Sequence, residues 1–173
     1  VSADLPIFSG FENLNSLKSS KFSEQSEKEN LESVREQIIF TTVSNYLQFI
    51  LDQKVLEIDR ENLEASRKTL EQVKAQVEVG SRPRVDLYDQ ESQVASDELA
   101  VVNSENQLQS SRVTLIQTLQ IDPRQDYDFV TPEIDTQSVR ATSYDLDQLV
   151  NTALENRSDL KSEKFNIQSI KHQ

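Results

Sequence analysis

Apolar residues recur every seven positions in two long stretches of this chain. The first stretch carries Phe49, Leu56, Leu63, Leu70 and Val77, and the second carries Leu87, Val94, Val101, Leu108 and Leu115. A seven-residue repeat keeps one apolar edge of a helix turned toward a partner helix when the two helices supercoil. The pattern therefore predicts two long helices, each of which buries one narrow stripe.

The two apolar ladders mirror each other along the chain. Position 77 pairs with 87, 70 with 94, 63 with 101, 56 with 108 and 49 with 115, and every pair is centred on position 82. An antiparallel hairpin folded at Arg82 brings the paired positions to the same height. The fold class predicted is all-α: a long antiparallel coiled-coil helical hairpin with a small mixed connector region and shorter stacked helices.

The turn of this hairpin is predicted within the stretch VEVGSRPRVDLYDQ, which contains one of the chain's two glycines and one of its four prolines. Gly80 can adopt the left-handed conformation that ends a helix without a Cβ penalty. Pro83 suits the first turn of the next helix, because it has no N–H and its φ is fixed. Asp86 and Asp89 follow where the helix dipole favours negative charge.

The remaining pattern divides the chain into four segments. Residues 1–11 are expected to be a strand remnant that leads into a helical hairpin over 12–119, with a long helix at 12–79, a tip at 80–83 and a second helix at 84–119. Residues 120–142 predict a connector with one short strand at 127–130. Residues 143–173 predict a short amphipathic helix capped by Thr142 or Ser143, then a truncated terminal helix capped by Ser158.

Composition narrows the function classes. Only 35% of the residues are apolar and the net charge is −12. Such a composition is also found in disordered chains, but disordered chains have no apolar periodicity, so the periodic pattern argues against disorder. An acidic chain without basic clusters is a poor nucleic-acid binder. We find no signal peptide and no apolar run near the ~20 residues of a membrane-spanning helix. The chain begins and ends abruptly, so we expect it to be part of a longer protein.

The sequence contains few residues that could act as a nucleophile or as a general base. The one histidine is His172 near the end of the chain, where we expect a surface residue, and cysteine is absent. No serine lies in a nucleophile-elbow context, and no phosphate-binding glycine loop or metal-ligand pattern is found. We therefore expect no enzyme, no cofactor and no metal.

The predicted tip carries the most concentrated charge pattern. Arg82 and Arg84 lie beside Asp86 and Asp89, with Val79, Gly80 and Ser81 at the apex. One interpretation is a capped turn with local ion pairs, each worth ~0–1 kcal/mol when exposed. The other is a functional tip, whose charges pair between neighbouring hairpins or contact a partner protein.

Three segments of the chain resemble segments of a known protein family and occur in the same order as in that family. The stretch VEVGSRPRVDLYDQESQVASDELAVVNSENQL resembles the tip and following helix of the TolC-like outer-membrane efflux proteins. LPIFSGFENLNSLKSS is similar to the family's Pro-aromatic-Gly approach to its long helix. ALENRSDLKSEKFNIQSIK is similar to its Ala-Leu-x-x-Arg-x-Asp-Leu segment. The resemblance covers nearly the whole chain and matches the first of the family's two repeats.

The resemblance implies a periplasmic tunnel fragment of a trimeric outer-membrane efflux or secretion duct in a Gram-negative bacterium. Residues 120–142 would then be its equatorial region. The implied partners are a periplasmic adaptor (membrane fusion) protein, through it an inner-membrane pump, and two further copies in a homotrimer.

The resemblance also implies roles for residues of the tip. Val79, Gly80 and Ser81 match the motif that meets the adaptor, although the family commonly has a bulkier apolar residue in place of Ser81. Asp86 matches an aspartate that helps to hold the tunnel's inner end closed. Arg82 and Asp89 match charges of that constriction, which occur more typically in the family's second repeat.

The alternative function is a coiled-coil adaptor or scaffold protein whose hairpin tip binds a partner. The longer protein would distinguish the two. A duct predicts a second, similar hairpin, whereas a scaffold predicts none.

Overall fold

A computed structural model describes residues 11–131 and 144–172 and is helical over most of them. The helices are α1 (Glu12–Glu78), α2 (Arg84–Leu119), α3 (Leu146–Asn156) and α4 (Ser158–Lys171). The two long helices pack together, which confirms the predicted all-α hairpin. Residues 1–10 of the strand remnant predicted at 1–11, the caps Thr142 and Ser143 and the connector after 131 lie outside the described residues.

By its internal contacts the chain divides into two units. Phe40–Pro132 forms one unit, which holds the hairpin, and Val1–Ile39 with Glu133–Gln173 forms the other. Residues 40–78 of α1 belong to the hairpin unit, and residues 12–39 of the same 67-residue helix belong to the other unit.

The hairpin unit buries the two ladders predicted from the sequence. Phe49, Leu56, Val94 and Leu115 are buried, and Leu115 is only 1% exposed. The other six ladder positions are half-buried. These positions are the heptad positions a of both helices, so the sevenfold apolar repeat does mark the interface between α1 and α2.

A second, mostly polar series shares this interface three residues after each apolar position, with the buried Val73 as an apolar member. Among its members, which are heptad positions d, Asp52, Ser66, Ser104 and Ser111 are buried. The serine hydroxyls donate to backbone carbonyls three residues earlier at 3.0–3.1 Å. Asp52 accepts hydrogen bonds from Gln48 at 2.8 Å and Gln107 at 3.4 Å. Small or hydrogen-bonded side chains thus fill most of the layers between the apolar ones.

Helix α2 ends in a tight backbone turn at Gln120. This residue has a left-handed φ of 52°. The N–H of Gln120 donates to the Gln117 carbonyl at 3.1 Å, and that of Ile121 donates to the Ile116 carbonyl at 3.4 Å. This is the Schellman arrangement, in which glycine is the usual residue at the left-handed position.

Residues 121–131 return along the hairpin as an irregular strap, and the short strand predicted at 127–130 is wrong. The Phe129 ring packs edge-on against Phe49, with centroids 5.3 Å apart. The Tyr46 hydroxyl donates to the Val130 carbonyl, and Arg112 binds the Asp126 carboxylate and the Tyr127 carbonyl. The strap is held by side chains of α1 and α2. Its backbone does not pair with another strand, so it forms no ladder of backbone hydrogen bonds.

In the other unit, α4 packs against the first part of α1 through paired serines. The Ser19 and Ser169 hydroxyls lie 3.0 Å apart, and those of Ser26 and Ser162 lie 3.1 Å apart. Hydroxyls of Ser26, Ser162 and Ser169 also donate to the carbonyls of their partners across the interface. These small side chains allow the two helices to approach closely.

Three sequence expectations in this unit need correction. The cap of α3 is Asp145, whose carboxylate accepts the N–H groups of Asp147 and Gln148, so the helix begins later than predicted. Ser158 is not a cap but the first residue of α4, and its hydroxyl donates to Glu36 at 2.9 Å. His172 is half-buried and stacks on Phe22, with centroids 5.7 Å apart.

The short helix α3 is amphipathic as predicted, yet all of its residues are exposed in this structure. Its apolar side is formed by Leu146, Leu149, Val150, Ala153 and Leu154. Across residues 11–131 and 144–172, every helix is too short or too polar to cross a membrane.

Candidate functional site at the hairpin tip

The tip of the hairpin is a five-residue turn between Glu78 and Arg84, built on Gly80. Gly80 has a φ of 75°. Its N–H donates to the Val77 carbonyl at 3.0 Å, and the Ser81 N–H donates to the Gln76 carbonyl at 2.9 Å. Both bonds of a Schellman cap are therefore present, and they need the left-handed residue that the sequence places there.

The second half of the tip starts α2. Pro83 is extended, with φ −71° and ψ 149°, and occupies the N-cap position immediately before the first helical residue. It therefore stands one position earlier than the helical first turn expected for it. The Asp86 N–H donates to the Pro83 carbonyl at 3.2 Å, so the helix begins without a side-chain cap.

Two charged residues of the tip form an ion pair. The Arg82 Nε lies 3.0 Å from Asp86 Oδ2, and the two side chains are 42% and 37% exposed. At this exposure the pair is worth only ~0–1 kcal/mol. The two remaining charges, Arg84 and Asp89, are exposed, and neither has an ion-pair partner within the described residues.

The apex presents apolar surface beside this charge. Val79 is 79% exposed, and Val85 and Tyr88 are exposed as well. A Cβ built on Gly80 meets no atom within 4 Å, so the backbone at the apex is open to an approaching partner. The Ser81 hydroxyl donates internally to the Gln76 carbonyl at 2.9 Å, which leaves only its oxygen free to accept a hydrogen bond.

The structure therefore brings together five of the six residues named from the sequence, with Asp89 one turn further along α2. Sequence reasoning missed the exposed apolar residues Val85 and Tyr88. The available signal was their position off the ladder: both lie at heptad positions turned away from the α1 interface.

The described part of the chain contains no group of three or more His, Cys, Asp or Glu residues that could hold a metal ion. A cavity of about 420 Å³ lies away from the tip, between the end of α2 and the strap, and is lined in part by Arg112, Ile116 and Arg124.

Comparison with known proteins places the tip within a recognised family. The family model for outer membrane efflux proteins matches residues 1–119, which include both long helices and the tip. A search of curated proteins finds no match. Members of that family are outer-membrane components of multi-component efflux systems in Gram-negative bacteria. Since the match covers 119 of 173 residues, this chain belongs to the outer membrane efflux protein family.

Proposed function

We propose that this chain forms part of the wall of a trimeric efflux or secretion duct and that its hairpin tip docks a periplasmic adaptor protein. The observation that carries the proposal is the tip itself. An exposed glycine-centred turn lies between two long helices, inside the segment that matches the efflux family. The duct conducts solutes rather than converting them, and an inner-membrane pump joined through the adaptor selects them.

The apex offers features suited to protein docking. Val79 extends an apolar side chain into solvent next to a backbone that Gly80 leaves uncovered. Val85 and Tyr88 add exposed apolar surface on the adjoining turn of α2. A partner helix tip that covers these groups gains apolar burial without needing to displace an internal packing contact.

A photo-crosslinking experiment tests the docking. A benzophenone amino acid replaces Val79 in the full-length protein, in cells that contain the efflux system, and Val102 serves as a matched exposed valine on α2. Docking predicts an adaptor crosslink from position 79 that is absent from position 102. Adaptor capture at both positions, or at neither, would contradict tip docking.

The charges of the tip suit a gate. Arg82 and Asp86 pair within one hairpin at 3.0 Å. Because an exposed ion pair contributes only ~0–1 kcal/mol, both residues can exchange this partner for another at little cost in free energy. In the closed duct, Asp86 and Asp89 bind cationic groups of neighbouring helices, and Arg82 binds their carboxylates. An adaptor that binds the separated tips more tightly than the closed ones shifts the equilibrium toward the open duct.

A further inference from the structure

The cavity between the end of α2 and the strap has no role in docking or gating at the tip. Its volume of about 420 Å³ lies within the range of about 300–1,000 Å³ that is typical of small-molecule sites. One wall is formed by the last three turns of α2, and the other by strap residues 123–126. Both walls belong to the hairpin unit Phe40–Pro132, so a single folded unit builds the whole cavity.

The α2 wall is one face of the helix with apolar residues at its centre. Its lining positions 109, 112, 113, 116 and 117 follow the spacing i, i+3, i+4, i+7 and i+8, which places them on the same side of a helix. Val113 and Ile116 are the apolar members, and Ile116 is buried. Together with Pro123 of the strap, these two residues form the apolar floor of the cavity.

The strap wall is fixed at both ends by hydrogen bonds. At its start, the Arg124 N–H donates to Asp122 Oδ1 at 3.0 Å. At its end, Arg112 binds the Asp126 carboxylate and the Tyr127 carbonyl. Because these bonds already hold the strap over α2, a ligand can enter the cavity without first ordering one of its walls.

The charges of the cavity lining do not cancel. The lining includes three charged residues, Arg112, Arg124 and Asp126, and Arg112 and Asp126 neutralise each other as an ion pair. Six of the eight arginines in residues 11–131 and 144–172 form ion pairs there, and the other two are Arg84 and Arg124. The Asp122 carboxylate binds the backbone of Arg124 rather than its guanidinium. The lining therefore has one positive charge in excess, in a chain whose net charge is −12.

This combination defines the chemistry of a matching ligand. One uncompensated guanidinium calls for one anionic group, and its N–H donors fit the two oxygens of a carboxylate. The apolar floor calls for a branched or aromatic carbon body, which displaces water from Val113 and Ile116 when it binds. The remaining lining residues, Gln109, Gln117 and Gln125, can donate or accept hydrogen bonds and do not select charge.

We propose that this cavity binds a small apolar carboxylate, with the carboxylate on Arg124 and the carbon body against the apolar floor. The inference goes beyond the proposed function. Val113 lies about 40 Å along α2 from Arg84 beside the tip, at 1.5 Å per residue. Adaptor docking and ligand binding are therefore separate properties, and an experiment on one can fail without affecting the other.

A ligand titration followed by NMR tests the inference on the full-length protein in lipid nanodiscs. The probe is 4-tert-butylbenzoate, and its uncharged counterpart of almost the same shape is 4-tert-butylbenzamide. Empty nanodiscs give the background from partitioning into lipid. For a ligand of about thirteen non-hydrogen atoms we expect a dissociation constant of about 1 mM or lower. The amide should bind about tenfold more weakly, because it lacks the charge-assisted hydrogen bonds.

Three variants locate the binding. Arg124→Gln removes the excess charge of the cavity and should weaken benzoate binding about tenfold. Arg84→Gln removes the other exposed arginine without an ion-pair partner in the described residues and should leave binding unchanged. Val113→Asp introduces a negative charge on the apolar floor at similar helix propensity, and it should also weaken binding about tenfold or more. Circular dichroism of each variant verifies that the helices are retained.

Four outcomes would overturn the inference, each for a different reason. Equal affinity for the acid and the amide would mean that the protein does not recognise a carboxylate. Equal weakening in Arg124→Gln and Arg84→Gln would mean a diffuse attraction of anions. Unchanged binding in Val113→Asp would place the ligand outside this cavity. Absence of binding at about 10 mM benzoate would mean that the cavity does not take this class of ligand.

Discussion

Replacing Leu115 by alanine should be among the most destabilising single changes in the hairpin unit. Leu115 is 1% exposed and lies at the same height as Phe49, where the strap residue Phe129 also packs. The substitution removes three carbon atoms, worth about 2.4 kcal/mol at 0.8 kcal/mol per buried methylene. A residual cavity adds to this, so the expected loss is about 2.5–4 kcal/mol, within the range measured for buried leucines.

A matched control lies two residues away on the same helix. Val113 is 41% exposed, and alanine is a better helix former than valine by about half a kcal/mol. The variant Val113→Ala should therefore be neutral within about 0.5 kcal/mol. Urea unfolding of the 173-residue chain, followed by circular dichroism at 222 nm, gives both values.

The comparison of the two variants decides whether the hairpin interface is real. A large loss for Leu115→Ala and almost none for Val113→Ala is the result expected if α1, α2 and the strap enclose Leu115. Equal losses, or a Leu115→Ala effect below about 1 kcal/mol, would refute the packing of Leu115 between α1, α2 and the strap.

Three further predictions concern the turns and the exposed ion pairs. Gly80→Ala should lower the free energy of unfolding by about 1 kcal/mol, and Gln120→Gly should raise it by a similar amount, because both residues have a left-handed φ. Urea unfolding measures both changes. Effects of the same sign would contradict the cap geometry. A hydrogen bond from Arg157 lowers the pKa of Asp159, so this pair stabilises the fold above the unfolded pKa and its contribution is lost as pH falls through the folded one. In Arg157→Gln, carbon NMR titration should show the Asp159 pKa rising toward its ordinary value; an unchanged pKa would exclude the pair in solution. A double-mutant cycle with Arg67→Gln and Glu98→Gln should give a coupling of ~0–1 kcal/mol that shrinks with salt, and a salt-independent coupling would rule out a solvated pair.

The hairpin could be predicted because apolar periodicity is a direct record of its interface. Phe49 and Leu115 belong to ladders whose spacing and mirror relation require a folded-back pair of helices. The polar half of the same interface could not be seen this way. Asp52, Ser104 and Ser111 are buried because hydrogen bonds satisfy them, and a polar residue at a buried position leaves no mark in an apolar pattern.

Local propensity failed where tertiary contacts decide the conformation. The residues at 127–130 favour a strand by composition, but side chains of α1 and α2 fix them as a strap instead. Ser158 has the chemistry of a helix cap, yet its hydroxyl is used by Glu36, which is distant in sequence. Such long-range partners cannot be read from a short window of sequence.

The tip was accessible to sequence reasoning because its geometry is local. The cap around Gly80 and the pair between Arg82 and Asp86 involve residues only a few positions apart. The exposed side chains of Val85 and Tyr88 were not predicted, because the apolar ladders mark buried positions and give no role to an apolar residue off the ladder. Which partner each tip residue contacts depends on other chains and stays a prediction.

The most direct test of a charge-gated duct is the conductance of the full-length protein in a planar bilayer. Wild type is compared with Asp86→Ala and with the control Glu78→Ala, which removes an exposed carboxylate on the turn before the tip. A charge-gated duct predicts a small conductance in wild type that rises in Asp86→Ala and stays unchanged in Glu78→Ala. The absence of any pore would contradict the duct, and equal conductance in all three proteins would contradict the gate.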